Sequence, residues 1–347
     1  MNFRQWAVVV LSFAAALGAS VWIARSAFPA GDIPVALPWW AHALAAAALC
    51  AEILFRALKV SLSGRALHIP LNFTLALRMS LGGDFGAAIT PSRSGAEPAR
   101  FLVLAESGMK PASALIILFS ELVLETVSLA IVALMLLATF GAEGRAPASI
   151  AGLIGGYALA VLGVGLAGYL LSRTYSSGPP PAWARTLRLH AGRWRAIQRA
   201  LRSLRSGVGA LRQAQWRWLV GSLVASVLHI VVRLAVLPVV VWGIGGAAVA
   251  LQSLDRIVLW PLVLLYGGAA APAPAGGGLI ELAFRAALGS AIPDQFFGAS
   301  LLWWRAYTFY AYIPLGALAA GATVLRAMRG RNAEPASPTE LAARNTT

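Results

Sequence analysis

Two clusters of charge stand in a chain that is otherwise strongly apolar. The first lies in Thr90-Pro91-Ser92-Arg93-Ser94-Gly95-Ala96-Glu97-Pro98-Ala99-Arg100. Ser94 followed by Glu97 has capping-box spacing and predicts a helix starting near Gly95. A helix N-terminus presents free N–H groups and positive dipole to whatever precedes it. Arg93 stands there and Arg100 follows about two turns on, so together they make a seat for a phosphate or carboxylate. Glu97 either caps the helix or holds an arginine fork. The alternative is an internal salt-bridge set of Arg93, Glu97 and Arg100 that only anchors the segment, and both readings stand.

The second cluster is two pairs. Glu121 and Glu125 are four residues apart within an apolar run, as are His229 and Arg233. Residues four apart share a helix face. An ionisable group at membrane depth costs roughly 2.5–3.5 kcal/mol on insertion scales, so each is expected to face the bundle interior and a partner. An acidic pair and a basic pair would form a buried ion network, either a clasp without a substrate role or part of a site. A sharper reading gives Glu121 or Glu125 a proton-carrying role. Arg78, Asp84, Asp255, Arg256, Glu281 and Arg285 read one by one as boundary or paired residues. Glu281 is included as a candidate substrate contact, with Asp84, His229 and Arg285 in support. Arg305, after Trp303 and Trp304, either reaches into the cavity or snorkels outward beside an interfacial aromatic belt, with snorkelling slightly favoured.

Other chemistry is thinly represented. The single cysteine, Cys50, forms no intrachain disulfide. His42, His68, His190 and His229 are too scattered for a zinc site, so no metal and no cofactor are expected. No nucleophile–base pair stands out, although Asp84 or Glu97 would serve as a base.

The elements that must position these groups are membrane helices. Of 347 residues, 59% are hydrophobic and 12% charged, against about 25% charged in soluble chains. Apolar segments cover about 5–24, 38–58, 112–140, 148–171, 217–243 and 298–326. Each is long enough to cross a hydrocarbon core of about 30 Å. The first could pass for a cleaved secretory signal, but ahead of so many further spans it reads as an uncleaved helix. The net charge of +15 would fit nucleic acid, but in a membrane chain it is the positive-inside signal, so no nucleic acid is expected. The arginine and alanine bias suggests a GC-rich bacterial source.

Positive charge also sets orientation. Residues 172–217 carry ten arginines and no acid, which places this loop in the cytoplasm. Arg4, the group Arg56, Lys59, Arg65 and His68, and the tail arginines Arg326, Arg329 and Arg331 mark the same side. Both termini are then cytoplasmic, in a multi-pass inner-membrane protein. Two interrupted stretches, about 70–108 and 254–290, must each enter and leave on one side, the first from the cytoplasm and the second from the periplasm. Irregular backbone at that depth needs protein or a wet cavity around it.

The two stretches resemble each other. One runs Gly82-Gly83, Pro91, Gly95, Glu97, Arg100; the other runs Gly267-Gly268, Pro274, Gly278, Glu281, Arg285. Paired broken segments in two inverted halves point to a transporter-type site at their meeting. The expected fold is therefore an all-α polytopic membrane protein of about six full spans plus two re-entrant hairpins. Residues 1–330 form one membrane domain with halves at about 38–140 and 217–326, and 331–347 a disordered cytoplasmic tail. The basic loop 172–217, with Trp183 and Trp194, reads as a topology determinant or as a surface helix on anionic headgroups.

The run from Gly82 to Glu125 resembles the transmembrane domain of lysylphosphatidylglycerol synthases and its stand-alone relatives. The resemblance rests on Pro91, Arg93, Gly95, Glu97, Arg100, Glu121 and Glu125, and on Pro274-Ala275-Gly276-Gly277-Gly278-Leu279-Ile280-Glu281. It departs from the family pattern at Ala275 and at Pro98. It implies a flippase-like domain that moves or handles an anionic or zwitterionic envelope lipid, phospholipid or hopanoid-related. In the full-length synthases a long soluble aminoacyl-transferase region follows. Here about 20 residues follow the last helix, so lipid aminoacylation by this chain is not expected. The alternative is a non-transporting scaffold for a lipid or glycan biosynthetic enzyme.

Overall fold

The computed structural model describes residues 36–90, 93–140, 146–175, 214–267 and 279–330, with isolated positions 18, 192, 194, 195, 198, 199 and 202. The expected first helix over 5–24, most of the basic loop and the tail 331–347 lie outside the described residues. So do Pro91, Pro274 and the glycines at 268 and 276–278. Among the described residues every regular element is helical.

The chain begins with α1 (Trp39–Ala66), followed by the short pair α2 (Phe73–Ala88) and α3 (Ala96–Glu106). Two long helices come next, α4 (Pro111–Phe140) and α5 (Ala146–Tyr175). The second part runs α6 (Trp216–Leu234), α7 (Val236–Gln252), α8 (Leu254–Gly267), α9 (Leu279–Leu288), α10 (Asp294–Arg305) and α11 (Tyr312–Gly330). A π turn, Ala306–Tyr310, joins the last two.

Pro111–Phe140, Ala148–Leu170 and Trp216–Gln252 are long and apolar enough to cross a membrane. On α5 the apolar side chains point outward: Leu159, Leu162 and Leu166 are 72%, 67% and 58% exposed. A soluble protein does not expose a leucine face of that extent. In hydrocarbon the same face carries no penalty.

Each interrupted stretch folds as two short helices, α2 with α3 and α8 with α9. None of the four reaches across a bilayer, since 10 to 16 residues extend about 15–24 Å at 1.5 Å per residue. The first pair is held backbone to backbone. A Cβ on Gly86 would strike the Gly95 carbonyl, and a Cβ on Gly95 would lie 2.6 Å from the Gly86 carbonyl oxygen. Thr90 bridges the gap: its Oγ1 donates to Gly86 O at 2.8 Å and accepts from Gly95 N at 2.7 Å. The predicted helix start near Gly95 is correct. Of the two roles read for Glu97, the arginine contact is the one seen, with Arg100 donating to it at 2.9 Å.

Two expected single helices are broken. The segment read as 217–243 divides at Ala235 into α6 and α7. Pro238 has no N–H to offer the Leu234 carbonyl, which weakens the ladder there. The segment read as 298–326 is interrupted by the π turn, where Ala311 N bonds back five residues to Ala306 O at 2.9 Å. Such turns are frequent at functional sites.

The apolar interior forms two main bodies. One contains Ile230, Leu237, Leu262, Phe284, Phe297 and Trp304 and joins α6–α10 with parts of α4 and α5. The other contains Val60, Met79, Val103, Leu104 and Ile117 and joins α1 to α2, α3 and the start of α4. α1 packs along α6, and the charged cluster described next lies largely across these two helices and α2–α4.

Candidate functional site

Seven residues singled out from the sequence line one cavity: Arg93, Glu97, Arg100, Glu121, Glu125, His229 and Arg233. Its empty volume is ≈ 910 Å³, open mouth included. Arg56, Tyr157 and Tyr266 complete much of the wall. A smaller cavity of ≈ 550 Å³ is lined by Asp84, Arg305, Thr308 and Tyr312, and Arg93 and Arg233 line both.

Helix spacing builds the floor. Glu52, Arg56 and Lys59 fall on one face of α1 and are buried, at 0%, 5% and 1% exposure. Arg56 donates to both oxygens of Asp84, at 2.9 and 2.6 Å. Its Nε lies 3.5 Å from Glu52. Tyr312 donates to Glu52 Oε2 at 2.7 Å, and Arg233 lies 3.8 Å from Oε1 of the same carboxylate. A further turn along α1, Lys59 donates to Glu125 at 2.6 Å and lies 3.6 Å from Glu121. Arg100 joins Glu97 at 2.9 Å and Glu121 at 3.2 Å. His229 Nε2 lies 3.5 Å from Glu125. Arg233 also donates to the Thr308 carbonyl, in the π turn, at 3.1 Å.

The basic residues Arg56 and Lys59 are therefore not markers of a cytoplasmic turn. They are buried partners of the acids, and only Arg65 and His68 beyond them are exposed. Glu52 was not singled out at all. Its signal was available as Glu52, Arg56 and Lys59 at spacings of four and three, one helical face.

Arg93 differs from its neighbours. It makes no ion pair among the described residues. Its backbone has φ 56°, a left-handed conformation that costs a non-glycine residue roughly 1–2 kcal/mol. Strain of this kind collects at ligand sites, where the surrounding structure holds it. Arg93 thus brings a guanidinium outside any ion pair among the described residues to the junction of both cavities.

Glu281 and Arg285 are separated by the structure. Glu281, 1% exposed, pairs with Arg305 at 3.0 Å. Arg305 is 4% exposed and lies over the rings of Phe309 and Tyr310. It does not snorkel outward, because its partner carboxylate is inside the fold. Trp304 is fully buried against Phe284 rather than in an interfacial belt. Arg285 turns away to an exposed pair with Asp294 at 3.3 Å and lines neither cavity. Among the described residues no group of His, Cys, Asp and Glu is placed to hold a metal.

The charges about the cavity are matched in number. Glu52, Asp84, Glu97, Glu121 and Glu125 face Arg56, Lys59, Arg93, Arg100 and Arg233. Balanced but unevenly paired charge in a membrane protein suits a ligand whose own charge exchanges for one of these partners.

Comparison with curated proteins and with solved structures gives no match. A family model does match, over residues 6–316. With its exposed apolar helices and this buried charged cavity, the chain is a membrane protein and belongs to the family of the lysylphosphatidylglycerol synthase TM region, which ties it to the handling of lipid.

Proposed function

We propose that the chain translocates an anionic or zwitterionic envelope lipid across a bacterial inner membrane, holding the headgroup phosphate at Arg93. The observation that carries this reading is the strained Arg93, in no ion pair among the described residues, at the junction of two cavities. Arg233 and Arg100 stand beside it to share the phosphate charge, as a guanidinium fork does with paired oxygens. Family membership supports the lipid as substrate class. The role is non-covalent: the charged groups of the cavity hold and release the headgroup.

The architecture we propose is six full spans with two re-entrant hairpins, α2–α3 and α8–α9, in an inverted repeat with both termini cytoplasmic. Three features support it. The paired helices are too short to span. Each pair follows a long apolar or charge-bearing helix. Two main apolar bodies are centred one on α1–α3 and the other on α6–α10. Opposed hairpins meeting at a midplane site are the arrangement expected of alternating access.

The test is reconstitution into liposomes with a fluorescent phospholipid and a membrane-impermeant quencher. Accelerated exchange between leaflets by the wild type, and its loss in Arg93→Ala, are the expected results. Exchange equal to protein-free liposomes would overturn the translocation reading, and unchanged exchange in Arg93→Ala would overturn the headgroup assignment.

A further inference from the structure

We infer that the Glu125–His229 pair is a proton site that fills when an anionic headgroup binds, so that lipid and proton are taken up together. The inference rests on the reading of Arg93 as the anion seat, and deepens it.

The argument is one of charge and contact. Three carboxylates, Glu97, Glu121 and Glu125, share only two permanent cations, Lys59 and Arg100. This side of the cavity is one positive charge short while His229 is neutral. The other side holds Glu52 and Asp84 against Arg56 and Arg233, which balance. Arg93 supplies the compensating charge across the cavity. A phosphodiester bound to Arg93 consumes that compensation and leaves the whole site one negative charge in excess.

Glu97 is exposed at the mouth, so the excess falls on the buried Glu121 and Glu125; uncompensated charge there is costly, and a proton removes it. His229 is the group placed to accept one. It is 1% exposed, and its Nε2 faces the Glu125 carboxylate at 3.5 Å. That contact assigns the neutral ring's hydrogen to Nε2 and leaves Nδ1 as the bare nitrogen. Nδ1 is buried with no hydrogen-bond partner among the described residues, so it is the open position for the incoming proton. Of the remaining titratable groups facing the pair, Tyr157 and Tyr266 are phenols on α5 and α8, and they stay neutral where an imidazole titrates.

The sign follows from linkage. Headgroup binding raises the proton affinity of the pair, so by reciprocity protonation raises affinity for the headgroup. Binding is tightest at low pH. It weakens as pH rises, by at most about tenfold per unit.

The test is calorimetric titration of the purified protein in detergent with short-chain phosphatidylglycerol, whose phosphodiester keeps one charge throughout. Titrations at roughly pH 5 to 8, the range of an imidazole, in buffers of different ionisation enthalpy report protons taken up per lipid. The wild type is expected to take up a proton with the lipid and to bind more weakly as pH rises. In His229→Gln, uptake and pH dependence both vanish, and binding stays weak. In Glu125→Gln they vanish too, but binding stays near the wild type's low-pH strength, because the excess carboxylate charge is gone. Wild-type binding without proton uptake or pH dependence would overturn the coupling while leaving the anion seat intact. Absence of saturable binding at every pH would overturn the anion seat itself and the coupling with it.

Discussion

Arg56 holds Asp84 through both guanidinium nitrogens, at 2.9 and 2.6 Å, and so ties α1 to the first helical hairpin. Both residues are buried. Arg56→Ala strands a carboxylate inside the fold and is expected to cost about 3–5 kcal/mol. Arg56→Met combined with Asp84→Leu should recover most of that loss, because no charge is then left alone. Thermal unfolding in detergent distinguishes the two. A double variant as unstable as the single one would show that the pair does more than satisfy itself.

Arg93→Gly should separate stability from binding. Glycine adopts φ 56° without strain, so the variant is expected to melt higher, by about 1 kcal/mol of stability. Its affinity for short-chain phosphatidylglycerol should fall roughly 10- to 100-fold with the loss of charge-assisted hydrogen bonds. Melting and calorimetric titration of the same preparation check both. A lower melting temperature would count against the strain, and unchanged affinity against the seat.

Gly86→Ala places a methyl group against the Gly95 carbonyl. Neither side is a flexible side-chain end, so about 1–3 kcal/mol of destabilisation is expected. Gly152→Ala on α5 meets nothing within 4 Å and should leave the melting temperature unchanged or raise it. Equal effects in the two would refute the close backbone approach.

Arg285→Ala and Arg305→Ala contrast an exposed pair with a buried one. The Arg285–Asp294 pair is open to its surroundings, and its loss should cost no more than about 1 kcal/mol. Loss of Arg305 leaves Glu281 charged and buried, a cost of about 3–5 kcal/mol. Chemical or thermal unfolding ranks them.

Much of the site was legible because charge inside an apolar helix is conspicuous. Glu121 with Glu125, and His229 with Arg233, stand four apart on otherwise apolar faces, and all four line the cavity. Arg93, Glu97 and Arg100 were legible from the turn chemistry about Gly95. The basic residues of α1 were misread for a physical reason. Arginine and lysine near a helix end also satisfy the positive-inside pattern, and that explanation hid the shared face with Glu52. Arg305 and Glu281, like Tyr312 and Glu52, are far apart in sequence, and nothing local indicates such a partner. The broken helices were half visible: Pro238 announces one interruption, whereas no residue type announces the π turn.

The meeting of Gly86 and Gly95 has a mechanical consequence. With no side chains between the two backbones and Thr90 pinned to both, α2 and α3 have no compressible layer to absorb a bend. In the translocation proposed above, the hairpin would swing as one lever, with Arg93 and Asp84 travelling together, and the Arg56–Asp84 grip on α1 would be the latch that opens first.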